Sequence, residues 1–326
     1  MRKLISLLLA LVMVMSLATV AFAEEATTND PYNGKLNQAG TFDKVYEIDN
    51  GTAPAETFTF KFTAKSGTDN DGNAVTPPAL DDVTVSFDAL SADATKAVEI
   101  PIDVADFTSL GVYTYEVTEV DNNTSGVTYT TDKLYMVVTI LRDENDGKNY
   151  VAAVHLTNAQ GTKEADVTNS YNAGKLTVSK EIKGNMADMT DKFNFTVVLT
   201  DPEGDTIKSD ILVNGESWEY EAGTTVTITG VLGHGEQLVI ENIPATVTYT
   251  VTETEADQNG YATTDTPSDS TKTIAGGDED TWAFVNERTS EVDTGIELDS
   301  MPFVVMMVVC AAAAVLFIIK RRSVEF

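Results

Sequence analysis

The chain has 326 residues, a formal net charge of −30, one cysteine and two histidines. That length suits about two domains with real cores, and 42% hydrophobic residues exclude a wholly disordered polymer. The acidity argues against nucleic acid as a partner. A single cysteine excludes an internal disulfide, a cysteine-rich zinc site and an iron–sulfur cluster, and two histidines leave little for a metal or a triad.

In chain order, Met1-Arg2-Lys3 is a positive start, Leu4 to Val20 is apolar, and Ala21-Phe22-Ala23 is a small-x-small cleavage signal. Residues 1–23 therefore read as a secretory signal peptide, and 24–37 as a flexible arm. From there on short alternating runs replace helical periodicity. Examples are Thr57-Phe58-Thr59-Phe60-Lys61-Phe62, Tyr113 to Glu119 and Lys133 to Ile140, separated by turn pairs such as Asp71-Gly72 and Asp146-Gly147. Many short Thr/Val/Tyr-rich strands predict an all-β chain of two tandem Ig-like β-sandwich domains, 38–171 and 175–288, joined by the linker Asn172-Ala173-Gly174. Residues 289–300 form a polar segment. Pro302 to Ile319 is uncharged and apolar, so a transmembrane helix is expected over 301–319. Lys320-Arg321-Arg322 keep the tail, 320–326, in the cytoplasm. Cys310 lies in the span, so the exported part has no cysteine. Between Glu24 and Thr294 there are 16 basic and 48 acidic side chains, a solvated, self-repelling surface.

The two domains repeat three features in one order. Near each start stands a lysine, Lys44 or Lys180. Each middle carries Tyr-x-Val-x-Glu, Tyr115 to Glu119 and Tyr249 to Glu253. Near each end stands an asparagine, Asn169 or Asn286. Strand parity puts side chains i and i+2 on one face. Lys44 then shares a face with Phe42 and Tyr46, Lys180 with Val178 and Ile182, Glu119 with Tyr115 and Val117, Glu253 with Tyr249 and Val251. Asn169 aligns with Val167 and Tyr171, Asn286 with Trp282 and Phe284. Glu116 has the opposite parity, and Glu255 lies beyond its apolar run.

Each of these polar residues thus points into a core, which is costly unless they meet one another. In a dry cluster desolvation lowers a lysine pKa and raises a glutamate pKa. The neutral amine is a nucleophile. A protonated glutamate can polarise the asparagine carbonyl and carry protons from amine to departing ammonia. Held together, the groups have a high effective concentration, and the product is an Nε–Cγ amide made once per domain. The chain is expected to be no enzyme in the turnover sense, with Glu119 and Glu253 assisting a single self-processing event.

Lysine in the first strand, Tyr-x-Val-x-Glu in a middle strand and asparagine in the last resemble the intramolecular isopeptide domains of Gram-positive pilins and adhesins. The first domain resembles the FctA-type pilin isopeptide-linkage domain, the second collagen-adhesin B-type repeats. The resemblance implies crosslinks Lys44–Asn169, assisted by Glu119, and Lys180–Asn286, assisted by Glu253. Glu291-Val292-Asp293-Thr294-Gly295, followed by an apolar span and a basic tail, resembles a sortase sorting signal of the EVPTG type, with Asp293 in place of proline and cleavage after Thr294.

By that resemblance the protein is a structural pilus backbone subunit, covalently polymerised or wall-anchored by sortase. It is retained briefly in the membrane and then displayed on the cell wall or pilus of a Gram-positive bacterium. The implied partners are sortase and other subunits or peptidoglycan, with no nucleic acid and no cofactor. Lys163, six residues before Asn169, is the expected intersubunit acceptor, with Lys148 and Lys175 behind it. The alternative is a monomeric wall-anchored adhesin or stalk that binds a host or partner ligand. His155 sits in a strand-like run and His234 in a Gly-rich turn, without a hydrolase motif. The acidic runs at Asp69–Gly72 and Asp143–Gly147 lack EF-hand spacing and read as turns.

Overall fold

The computed structural model describes residues 40–100, 102–164, 166–267 and 270–290, together with Val305–Met307 and Cys310, which are helical. The signal peptide, the arm, Glu291 to Gly295, most of the membrane span and the basic tail lie outside the described residues. Among those described, no helix is long and apolar enough to cross a membrane.

Apart from those helical residues and a short 3-10 turn at Val104–Asp106, the regular structure of the described chain is β. Its first part runs β1 (Gly40–Ile48), β2 (Glu56–Asp69), β3 (Ala74–Val75), β4 (Val83–Phe87), β5 (Ala94–Ile100), β6 (Gly111–Glu119), β7 (Val127–Thr128), β8 (Leu134–Arg142), β9 (Asn149–Asn158), β10 (Lys163–Glu164) and β11 (Asp166–Tyr171). One sheet has the order β5-β1-β11-β7. The other has the order β10-β9-β8-β6-β2-β3, with β4 also on β2. The second part runs β12 (Ala173–Lys183), β13 (Phe193–Thr200), β14 (Leu212–Val213), β15 (Glu216–Ser217), β16 (Thr225–Leu232), β17 (Gln237–Pro244), β18 (Thr248–Glu253), β19 (Ala262–Thr266), β20 (Lys272–Thr273) and β21 (Glu279–Glu287). Its sheets have the orders β15-β14-β17-β12-β21-β19 and β16-β13-β18-β20.

Alternation drives this arrangement. β1, β6, β8 and β13 each bury every second residue along most of their length, the period-2 pattern of a sheet with one dry face. The dry faces meet through edge-on aromatic pairs. Phe42–Phe60 and Tyr46–Phe58 join the two sheets of the first part at 4.9 and 5.2 Å, and Tyr249–Trp282 does the same in the second at 5.8 Å. Burying one such ring stabilises by roughly 1.5–3 kcal/mol, and each pair adds about 0.5–1.5 kcal/mol. Each part has its own apolar cluster.

In both parts the first strand lies parallel to the last. β1 pairs with β11 and β12 with β21. Parallel neighbours need a long crossover between them, and here the rest of each part is that crossover. Alternation cannot encode such pairing.

The expected linker is shorter than the sequence suggested. Ala173 and Gly174 belong to β12, opposite Pro244 and Ile243, so Asn172 alone separates the two parts. Gly174 serves close packing rather than flexibility, because a Cβ there would stand 2.6 Å from Ile274 Cγ2. Gly126, at φ +80°, turns the β7 approach so that its carbonyl accepts from Asn172 N at 3.0 Å. Further bonds cross the joint. Ser125 Oγ donates to Asp201 at 2.8 Å, and Asn242 accepts from Thr52 N and donates to Thr52 O at 2.8 and 2.9 Å.

Candidate functional site

Register brings the predicted residues together. On β1 and β11 Tyr46 pairs with Asn169, which puts Lys44 two residues along from Asn169 on the same face. On β12 and β21 Ile182 pairs with Asn286, so Lys180 has the same offset. The glutamates come from the facing sheets. Glu119 ends β6 and pairs with Phe60 on β2, while Glu253 ends β18 and pairs with Phe195 on β13. The same diagonal lysine–asparagine pair under a strand-terminal glutamate therefore occurs twice.

In the first cluster Lys44 Nζ stands 3.0 Å from Glu119 Oε1, and Asn169 Nδ2 donates to that same oxygen at 2.9 Å. Asn169 Oδ1 accepts the Thr130 backbone N–H at 3.0 Å. Lys44 Nζ is near the carboxylate but has no aligned hydrogen bond, and Glu119 Oε2 has none. In the second cluster Lys180 Nζ donates to Glu253 Oε2 at 2.6 Å, and Asn286 Nδ2 donates to Oε1 at 2.5 Å. Asn286 Oδ1 has no hydrogen bond. In both clusters the carboxylate faces the amide nitrogen, whereas the sequence argument expected it at the carbonyl oxygen.

All six side chains are buried, Lys44 and Asn286 with no exposed surface. Desolvation pushes the Lys44 amine down to about 8, outweighing the attraction of Glu119. It pushes Glu119 up, against the pull of Lys44 and the hydrogen bonds from Asn169 and Thr130. It lowers Lys180 as well, opposed by Glu253 and Glu255. Burial thus weakens the charge separation that would make each pair an inert ion pair.

Two aromatic pairs roof the amines. Lys44 Nζ lies 4.4 Å from the Phe58 centroid and 5.9 Å from that of Phe60. Lys180 Nζ lies 4.2 Å from that of Phe193 and 5.8 Å from that of Phe195. Ring faces favour a cation, but the rings also exclude water, and desolvation is the larger effect at both lysines. The sequence reading noted Phe58 and Phe60 only as strand residues and passed over Phe193 and Phe195. A Phe-x-Phe pair in the second strand of each repeat was the available signal.

The rejected glutamates lie outside the clusters. Glu116 pairs with Lys65 at the surface, and Glu255 accepts from Asn194 N at 2.8 Å. Lys163 is exposed on the short edge strand β10, opposite Thr157. Lys148 is exposed, and Lys175 stands 3.4 Å from Glu241. His155 lies on β9, while His234 Nδ1 accepts from Ile182 N at 3.0 Å and braces β12 beyond Lys180. Asp69 and Asp143 accept the backbone N–H groups of their own turns.

A third group of the same residue types bridges the joint. Lys208 Nζ stands 2.9 Å from Glu56 Oε2, and Asn122 Nδ2 donates to Glu56 Oε1 at 2.6 Å. This group clasps the two parts together. Glu56 also accepts from Thr124 Oγ1 at 2.8 Å and from Thr57 N at 3.3 Å. The Lys208 side chain is 30% exposed, so its amine keeps water.

Comparison with known proteins places this geometry. Residues 36–172 match the family described as Spy0128-like isopeptide containing domain. Over 98% of this chain and all of its own length, a curated protein named "Pilin" from Streptococcus pyogenes serotype M1 is 28% identical. The first part of the chain thus matches an isopeptide-domain family, and nearly the whole chain is similar to a pilin. A pilus tip adhesin of Streptococcus pyogenes is 34% identical over 38% of this chain and 18% of its own. Residues 174–288 match a family described as a domain of unknown function, DUF7601. The crystal structure of the major pilin from Streptococcus pyogenes is similar with a TM-score of 0.50 at 24% identity, over 78% of this chain and 99% of that one. A mutant of the same pilin gives 0.53 at 23% identity, over 78% and 100%. These two likenesses establish a shared fold.

Proposed function

We propose that this pilin-like chain is a pilus backbone subunit made of two Ig-like sandwich domains, each closed by its own lysine–asparagine isopeptide bond. The observation that carries this reading is the twofold recurrence of one buried arrangement in which lysine amine and asparagine amide meet at a single glutamate. Lys44 joins Asn169 with Glu119, and Lys180 joins Asn286 with Glu253. Each bond ties the first strand to the last across their parallel pairing. Tension that enters and leaves by those strands then crosses covalent bonds and bypasses the sheets.

Cleavage by sortase after Thr294 and transfer of its carbonyl to Lys163 of another subunit would build the fibre, and transfer to peptidoglycan would anchor it. The polar surface of β10 supports Lys163 as the acceptor, since an edge lysine is open to an enzyme. Surface extracts test this part. A sortase-dependent, SDS-resistant ladder that collapses in Lys163→Ala supports it, and a single wall-linked species contradicts it. For the crosslinks, Glu119→Ala and Glu253→Ala should each restore the mass of one ammonia to the chain.

A further inference from the structure

The second part of the chain has an open strand edge, and no crosslink residue lies on it. β16 ends the order β16-β13-β18-β20, so it pairs with β13 on one side only. We propose that the free side of β16 is a docking site for an extended peptide carrying lysine or arginine, which joins the sheet as an added strand.

Register fixes which backbone groups face outward. Asp201 N donates to Thr224 O at 2.9 Å, and the same pairing runs on from Thr200–Thr225 to Phe193–Leu232. In an antiparallel ladder, hydrogen-bonded pairs alternate with unbonded ones. Val226, Ile228, Gly230 and Leu232 therefore bond to β13. Thr225, Thr227, Thr229 and Val231 turn their N–H and C=O groups away from it. Side chains close this row at two points. Trp218 Nε1 donates to Thr227 O at 3.2 Å, and Glu236 accepts from Gly233 N at 2.8 Å. Between them Thr229 and Val231 direct two N–H and two C=O groups to the open side, the pattern on which an added strand pairs.

A groove of about 920 Å³ runs along this stretch, walled on its far side by Glu216 to Glu219, and its size is that of a ligand site. Val231 is 56% exposed and Trp218 lines the same groove, so a guest strand meets apolar ground there. Glu216, Glu219 and Glu236 also line it, and all three are exposed. Lys192 pairs with Glu236 at 2.5 Å, which leaves Glu216 and Glu219 to face the groove. No lysine or arginine is among its described lining residues. Two carboxylates and an indole ring favour a cationic guest.

The same charges turn away this chain's own segments. Residues 24–37 hold three acidic side chains and one lysine, and residues 291–299 hold four acidic side chains and no basic one. A second copy meeting β16 edge to edge would bring two acidic walls together. A basic strand from another protein meets no such repulsion.

The test adds capped hexapeptides to the ectodomain, residues 24–294, and follows amide hydrogen exchange by NMR. One peptide alternates lysine and valine, one glutamate and valine, and one lysine and proline, which cannot pair as a strand. We expect the lysine–valine peptide alone to slow exchange at the Thr229 and Val231 amides, with an effect that fades as salt is raised. Glu216→Gln with Glu219→Gln should weaken binding about three- to tenfold. Thr229→Pro removes an outward N–H that the sheet does not use, a change tolerated on an edge, and should abolish the protection of Val231. Unchanged exchange at both amides overturns the inference. So does equal binding of the glutamate–valine or the lysine–proline peptide. Protection of these amides without peptide, in a chain that sediments as a dimer, would give the edge to a second copy and also overturn it. If Thr229→Pro does not fold, the carboxylate variant and the two control peptides still decide.

Discussion

A double-mutant cycle at Lys44 and Asn169 isolates what the first crosslink contributes to stability. The bond would close a loop of 126 residues. The loop-entropy relation used for disulfides gives about 5 kcal/mol for such a closure. Asn169→Ala also leaves the Thr130 N–H without its acceptor, a further cost of about 1–3 kcal/mol. Lys44→Met removes the amine and leaves Glu119 with Asn169. Either change abolishes the bond, so the closure is lost only once in the double variant. The two single losses should therefore exceed the double loss by about 5 kcal/mol, far above the few tenths expected of independent sites. For a folding unit of this size that corresponds to a melting shift of roughly 15–25 °C in each single variant, read by calorimetry with denaturant titration alongside. Additivity within about 1 kcal/mol would show that no covalent closure links these residues.

Further outcomes follow from the same geometry. Bond formation in the first cluster should depend little on pH just below 8 and slow about tenfold per pH unit above it. Burial lowers the Lys44 amine to about 8, and above that the lysine–glutamate pair no longer holds the one proton that a neutral amine beside a protonated carboxyl needs; a rate that keeps rising above pH 8 contradicts this. Phe193→Ala should cost about 3–5 kcal/mol of precursor stability. It should also slow the second bond while sparing the first, since it opens to water the site beside Lys180; equal rates by peptide mapping would count against the aromatic roof. Lys208→Ala removes the cation beside buried Glu56 and should cost about 1–3 kcal/mol, discounted for the partial exposure of Lys208. It should leave the number of ammonia molecules lost unchanged, whereas a change would make the joint a third reacting cluster.

Much of the arrangement was legible because strand parity is local. Which residues of each strand face inward follows from their own spacing, and the buried Lys44, Lys180, Asn169 and Asn286 stand out as polar residues on apolar faces. Pairing across a hundred residues is not local. That β1 lies against β11 and β12 against β21 with one shared offset emerges only in the folded chain. The Phe58 and Phe193 roofs were readable in part, as a repeated Phe-x-Phe. The Thr130 amide was not, because a backbone donor carries no residue-type signal. Gly174 misled for a physical reason: glycine marks both flexible turns and tight contacts, and here it lets β12 lie against Ile274.

The most direct measurement is the intact mass of the purified ectodomain, residues 24–294, against the mass of that sequence. Two self-made amide bonds predict a mass below that of the sequence by two ammonia molecules, with one restored in Asn169→Ala, one in Asn286→Ala and both in the double variant. A chain that carries its full sequence mass would contradict the account.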